Sequence, residues 1–95
     1  MRQAREDIGG RMIKIERQVT DPLGFHIQLA VLLAGEAQRW RSHVTFRHGQ
    51  ASVDAADLMA LLGLGVPSGS RIEIDVEGPD EATAAEAIRN LSRTF

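Results

Sequence analysis

A chain of 95 residues with 43% hydrophobic and 25% charged residues has the composition of one soluble globular domain. It contains no cysteine, which excludes disulfides and thiolate metal sites, and its net charge of -2 does not suit a nucleic-acid binder, whose surface is usually basic. No apolar run approaches the roughly 20 residues that cross a bilayer, and the polar start lacks the apolar centre of a signal peptide. We therefore expect a cytoplasmic protein that binds no nucleic acid and does not insert into membranes.

The first half of the chain predicts an extension, a strand, a turn and a helix. Residues 1–11 include Gly-Gly and carry no apolar pattern, so we expect a flexible N-terminal extension before a domain over residues 12–95. The segment "RMIKIERQV" alternates with a period of two, which is typical of a strand. The segment "TDPLG" has turn composition, and a helical pattern follows from Ile27 to about Trp40. Its predicted buried stripe is Ala30, Leu33, Ala34 and Ala37.

The second half predicts a hairpin, a short helix, a strand and a last helix. Two strand-like runs flank His48 and Gly49, with the glycine expected as the second residue of a tight turn. The segment "DLMALLGLG" predicts a short helix with Asp57 as N-cap or first-turn acid. "RIEIDVEG" gives the clearest strand pattern, and helical spacing resumes after Pro79. The order β-α-β-β-α-β-α predicts an α+β domain, a four-stranded, mostly antiparallel sheet with three helices on one face.

His26 falls at the N-cap of the first predicted helix. Backbone N–H groups there lack intrahelical partners, and the helix dipole is positive. The positive end disfavours the imidazolium form, and an anion attached to the ring would meet the free N–H groups. The position therefore suits a transient phosphohistidine. Position alone leaves a second interpretation open, in which the histidine only caps the helix.

Three parts of the sequence resemble HPr, the histidine-containing phosphocarrier of the bacterial phosphotransferase system (PTS). They are "DPLGFHIQLA", the hairpin, and "VDAADLMALLGLGVPSGSRIEIDVEGPDEATAAEAI", and the similarity extends from Met12 nearly to the C-terminus. The resemblance implies an open-faced sandwich in which Nδ1 of His26 accepts a phosphoryl group from enzyme I, itself charged by phosphoenolpyruvate. The group then passes to an enzyme IIA domain, in sugar transport or another PTS branch. Such a protein is a carrier rather than an enzyme with its own turnover; we expect a monomer without cofactor or metal.

The resemblance also implies roles for residues around His26. The backbone amides of Ile27 and Gln28 would hold the phosphate. Ile27 and Val31 of the first helix, with Leu58 and Leu62 of the short helix, would form an apolar surface that binds partners. Small apolar patches ringed by polar residues suit transient docking. For Leu58 and Leu62, burial in the core is an equally open interpretation.

Three positions depart from the usual family pattern. Gln28 and Leu29 replace an arginine and a proline, and glutamine brings no charge to the phosphate. A charge-assisted hydrogen bond contributes about 1.5–3 kcal/mol against about 1 kcal/mol for a neutral one, so transfer would be one or two orders of magnitude weaker. Asp57 occupies the position of a regulatory serine, where it is either a helix-capping acid or a permanent, weaker mimic of phosphoserine. These departures motivate an alternative, a degenerate HPr-like regulatory module that docks partners without phosphoryl relay.

The other two histidines give no sign of a metal site. His43 and His48 do not have metal-ligand spacing with each other or with His26. The glycines after residue 62 lack the Lys-Ser/Thr pair of a phosphate-binding P-loop.

Overall fold

The computed structural model describes residues 12–95, and its seven elements follow the predicted order. The predicted N-terminal extension, residues 1–11, lies outside the described residues. The elements are β1 (Ile13–Gln18), α1 (Ile27–Ala37), β2 (His43–His48), β3 (Ala51–Asp54), α2 (Leu58–Gly63), β4 (Arg71–Glu77) and α3 (Glu81–Ser92).

The four strands form one sheet in the order β1-β4-β2-β3, and every pairing is antiparallel. The register aligns Ile15 and Phe46 on either side of Ile74, so the apolar positions of three strands share one face. The three helices cover this face, which gives the predicted open-faced sandwich. The predicted stripe of α1 is buried, and Leu29 joins it. The largest fully buried apolar side chains are Phe46, Phe95, Leu33, Leu61, Ile74 and Ile88.

The helix-free face of the sheet carries most polar residues of the alternating pattern, whereas Arg17 lies on the helix side and its Nε donates to Ser92 of α3 at 3.0 Å. One polar residue of the helix-free face is not exposed as expected. Asp75 lies in the central strand and is only 3% exposed. Arg47 covers it from the neighbouring strand, where its Nε donates to the carboxylate at 2.6 Å. The alternation predicts which face a residue occupies, but neighbouring side chains decide whether a polar residue there reaches solvent.

Two boundaries differ from the prediction. Helix α1 ends at Ala37 rather than near Trp40. The amide of Arg39 donates to the carbonyl of Glu36, three residues back, instead of continuing the helical hydrogen-bond pattern. The indole of Trp40 donates to the Glu36 carboxylate at 2.8 Å. In the hairpin, His48 pairs with Ala51, which makes Gly49 the first rather than the second of two turn residues.

Candidate functional site

His26 is the N-cap of α1, as predicted. Its backbone is extended, with φ -89° and ψ -179°, and its carbonyl accepts from the amide of Ala30. Its ring nitrogen Nδ1 accepts a hydrogen bond from the backbone N–H of Gln28 at 3.3 Å. The imidazole therefore occupies the place where a serine or aspartate oxygen would otherwise cap the first turn.

The two residues before His26 fix where its backbone lies. Phe25 is buried, its amide donates to the carbonyl of Val66 at 3.0 Å, and its ring packs against Phe46 with centroids 4.7 Å apart. Gly24 adopts φ 77°, a conformation that favours glycine, and its carbonyl accepts from the His26 amide at 3.0 Å. The turn and the aromatic core together hold His26 at the start of the helix.

Asp21 lies against the other nitrogen of the ring, and sequence reasoning missed this contact. Its Oδ2 is 3.2 Å from Nε2 of His26, while its Oδ1 accepts from the amide of Leu23 at 2.9 Å. The hydrogen bond from the Leu23 amide lowers the pKa of Asp21 most, and the hydrogen bond with His26 lowers it further. The amide of Gly24 donates to the Asp21 carbonyl, a turn that brings residues 21 and 26 together. The sequence feature that could have indicated this contact is an aspartate at the start of a short turn that leads to a histidine.

The two partners of the His26 ring identify which nitrogen can react. An ionised carboxylate can only accept, so Nε2 carries the proton that faces Asp21. Nδ1 accepts from an amide and therefore presents its lone pair. The side chains of His26 and Asp21 are 19% and 26% exposed, so both remain partly accessible to solvent. The site thus combines a nucleophilic nitrogen with the N-terminus of an 11-residue helix. This combination suits covalent attachment of a group that carries negative charge.

The predicted partner-binding residues divide into two groups. Ile27 and Val31 are exposed and, with Gln28 and Leu32, line a shallow apolar groove on α1. Leu58 and Leu62 are half-buried, pack against the core and do not line this groove. The outward apolar residue of α2 is instead Met59, which is 75% exposed and was not predicted.

Asp57 is the N-cap of α2. Its side chain accepts a hydrogen bond from the amide of Ala60 at 3.1 Å. The helix has only six residues, so this one capping bond serves much of its first turn.

Residues 12–95 contain no group of three or more histidine or acidic side chains placed to hold a metal ion. Within the same range, each helix is too short or too polar to span a bilayer.

The chain matches known phosphocarrier proteins over most of its length. Residues 13–94 match the family model described as the PTS HPr component phosphorylation site. The phosphocarrier protein HPr of Treponema pallidum is 32% identical over 74 residues, which cover 78% of this chain and 84% of that protein. The HPr-like protein Crh of Halalkalibacterium halodurans is 36% identical over 76 residues, which cover 78% of this chain and 90% of that protein. The solved histidine-containing phosphocarrier protein of Mycoplasma has a TM-score of 0.81 and 26% identity, over 83% of this chain and 90% of that one. The protein belongs to the HPr family, the phosphocarrier proteins of the phosphotransferase system.

Proposed function

We propose that the protein accepts a phosphoryl group on Nδ1 of His26 from enzyme I and passes it to an enzyme IIA domain. The observation that carries the proposal is the placement of Nδ1, which presents its lone pair at the N-terminus of α1 beside the Gln28 amide. Membership of the HPr family supports the carrier role. The proposal assigns this role to residues 12–95, with residues 1–11 as an extension, and keeps the predicted cytoplasmic location.

The proposed transfer needs no proton to leave His26. The lone pair of Nδ1 forms the bond to phosphorus, and the bond from phosphorus to the donor breaks, with its electron pair going to the donor. The Gln28 amide, which now donates to Nδ1, is released because that lone pair is used. Together with the Ile27 amide it then donates to the phosphoryl oxygens, where the helix dipole also favours negative charge. Transfer to the acceptor protein reverses these steps.

The proposed docking surface lies on α1 next to the reacting nitrogen. Ile27 and Val31 expose 57% and 49% of their surface, which is high for apolar residues. Leu58 and Leu62 contribute their exposed parts from α2, which packs against α1. A small apolar patch suits a carrier that must bind two partners in turn and leave both.

A regulatory module without phosphoryl relay is the second candidate. Gln28 favours it, because this position brings no cation to the phosphate. Asp57 also favours it, because its carboxylate is a permanent negative charge at the position of the regulatory serine. In this candidate the groove of α1 binds a partner, and His26 serves only as a helix cap.

Phosphorylation by enzyme I separates the two candidates. The protein is incubated with phosphoenolpyruvate and enzyme I of its own organism, and intact-mass spectrometry detects an acid-labile phosphoryl group. His26→Asn is the test variant because asparagine keeps a side-chain cap for α1. His43→Asn is the matched control, since His43 is an exposed histidine of β2.

The carrier proposal expects labelling of the wild type and of His43→Asn, and none of His26→Asn. Failure to label a folded wild type, with an enzyme I that charges another HPr, would rule the carrier out. The second candidate would then be tested by direct binding of partners to the α1 groove.

A further inference from the structure

We infer that Asp21 is a positioning residue for His26. Asp21 fixes the imidazole so that Nδ1 is the free nucleophile, and it stabilises the ring while the ring carries a phosphoryl group. This inference rests on the proposed function of His26. Asp21 does not touch the transferred group; it acts through Nε2, on the opposite edge of the imidazole from Nδ1.

The surrounding chain holds Asp21 in one orientation. Its amide donates to the main-chain oxygen of Phe95 at 2.9 Å, and its carbonyl accepts from Gly24 at 2.8 Å. Its Oδ1 accepts from the amide of Leu23, which leaves Oδ2 as the atom that faces His26. Two backbone hydrogen bonds and one to the carboxylate fix Asp21, which therefore presents a defined acceptor to the imidazole. The contact is therefore a built feature of the turn rather than a chance approach of two mobile side chains.

The position of the carboxylate selects one state of the imidazole. A ring turned over would place a carbon atom, which cannot donate strongly, against Oδ2. A ring with its proton on Nδ1 would oppose two lone pairs at the Asp21 contact and two N–H groups at the Gln28 amide. Both alternatives lose hydrogen bonds at partly buried atoms. The observed arrangement, Nε2–H toward Asp21 and the Nδ1 lone pair toward Gln28, satisfies both contacts.

The carboxylate also counters the charge that phosphorylation creates. When the Nδ1 lone pair forms the bond to phosphorus, the ring keeps its Nε2–H and becomes cationic. Oδ2 of Asp21 already accepts from that nitrogen, so the hydrogen bond becomes charge-assisted on both sides. This matters more here because Gln28 supplies no positive charge on the phosphate side.

The test compares Asp21→Ala, Asp21→Asn and Asp54→Ala. Asp54 is a matched control because it builds the same local turn: its Oδ1 accepts from the Ala56 amide at 2.9 Å and its carbonyl accepts from the Asp57 amide at 3.0 Å. No histidine bonds to Asp54 in the part of the chain that the structure describes. Asp21→Asn retains the turn and an acceptor oxygen but removes the charge. Two readouts are used: the ring tautomer from ¹⁵N NMR of the unphosphorylated protein, and the kinetics of phosphorylation by enzyme I.

We expect wild type, Asp54→Ala and Asp21→Asn to hold His26 in the Nε2–H tautomer, and Asp21→Ala to show a clear fraction of Nδ1–H. We expect kcat for phosphorylation to fall about tenfold in both Asp21 variants, the effect of losing one charge-assisted bond at a partly exposed site, with KM unchanged. If the two aspartates only stabilised their turns, kcat would fall in both Asp21→Ala and Asp54→Ala, and the tautomer of His26 would not change.

Each outcome has a distinct meaning. Wild-type tautomer and rate in Asp21→Ala would overturn the inference and leave the proposed function standing. An altered tautomer in Asp21→Ala with no phosphorylation of any variant would confirm that Asp21 fixes the ring and would instead overturn the proposed function. An altered tautomer with an unchanged rate would overturn the part of the inference that concerns charge.

Discussion

Gly24 lies so close to the loop before β4 that a Cβ atom on it would be 2.6 Å from the carbonyl oxygen of Val66. The next residue, Phe25, uses the same carbonyl as the acceptor of its amide. This close approach joins the turn that precedes His26 to the loop that enters the central strand. The backbone position of His26 therefore depends on the absence of a side chain two residues earlier.

Gly24→Ala should destabilise the fold by about 3 kcal/mol, because the left-handed backbone costs about 1–2 kcal/mol for alanine and the clash adds to it. Gly49→Ala is the matched control: Gly49 also has a positive φ, of 62°, but a Cβ there meets no atom within 4 Å. The control should lose only the backbone cost. Urea unfolding followed by the fluorescence of Trp40, the single tryptophan, measures both variants. Equal losses of stability in the two variants would show that the backbone at Val66 moves away from the added methyl group without a measurable loss of stability.

Gln28→Arg should raise the rate of His26 phosphorylation by roughly tenfold, because an arginine at the start of α1 can form a charge-assisted hydrogen bond with the phosphoryl oxygens. Gln50→Arg, at an exposed residue of the β2–β3 turn, adds the same charge outside α1 and should leave the rate unchanged. Phosphorylation by enzyme I is followed by intact mass over time. An equal increase in both variants would point to attraction of the donor by net charge instead.

Val31→Lys should weaken binding of enzyme I while the fold keeps its stability. Val31 is 49% exposed in the α1 groove, so lysine disrupts an apolar contact surface without entering the core. KM for the donor should rise by about tenfold, the effect of losing one well-packed interface residue. Met12→Lys is the control, since Met12 is 43% exposed and precedes β1, outside the groove. A KM that rises equally in both would place the docking surface elsewhere.

The fold and the position of His26 at the start of a helix could be predicted because each rests on a local pattern. Period-two and helical spacing set the seven elements, and the turn composition before Ile27 put His26 at a helix start. That Nδ1 is the reacting atom is implied by the family resemblance and stays a prediction. The contact of His26 with Asp21 could not be predicted this way, because it depends on the shape of the turn between them rather than on any periodicity.

The exposed residues of α2 were missed for a different reason. Its sequence "LMALLG" is apolar at nearly every position, so spacing does not show which side faces the core. The structure half-buries Leu58 and Leu62 and exposes Met59. Only the packing of α2 beside α1 and β3 decides between these sides. A short helix without polar residues gives no orientation from its sequence alone.

The ion pair between Arg47 and Asp75 should make stability depend on pH. Burial acts to raise the pKa of Asp75, but the hydrogen bond from Arg47 and the charges of Lys14 and Arg47 help to outweigh it, so this pKa lies below its usual value of 3.8. A carboxyl with a lowered folded pKa stabilises the protein above the unfolded value. That contribution is lost as the pH falls through the folded pKa. Wild-type stability should therefore decline below about pH 4, the range in which an aspartate normally titrates.

Arg47→Ala should reverse the sign of this dependence. The variant leaves Asp75, which is 3% exposed, beside Glu73 without its strongest cationic partner, so the pKa of Asp75 rises above the unfolded value. Ionised Asp75 then destabilises the fold, and the deficit is largest at neutral pH. We expect a loss of stability at pH 7 that is clearly measurable but smaller than for a fully buried pair, because Arg47 is itself 46% exposed.

Urea unfolding of Arg47→Ala at pH 7 and pH 4, read by Trp40 fluorescence, tests this reversal. The loss relative to wild type should shrink at pH 4, because protonation of Asp75 removes the unpaired charge from the variant while the wild type begins to lose its ion pair. Arg71→Ala removes an exposed cation from the same face of the sheet, and no ion pair of Arg71 occurs among residues 12–95. It should change stability by less than about 0.5 kcal/mol at either pH. A deficit of Arg47→Ala that is the same at both pH values would mean that Arg47 contributes by packing over the strand and not through its charge.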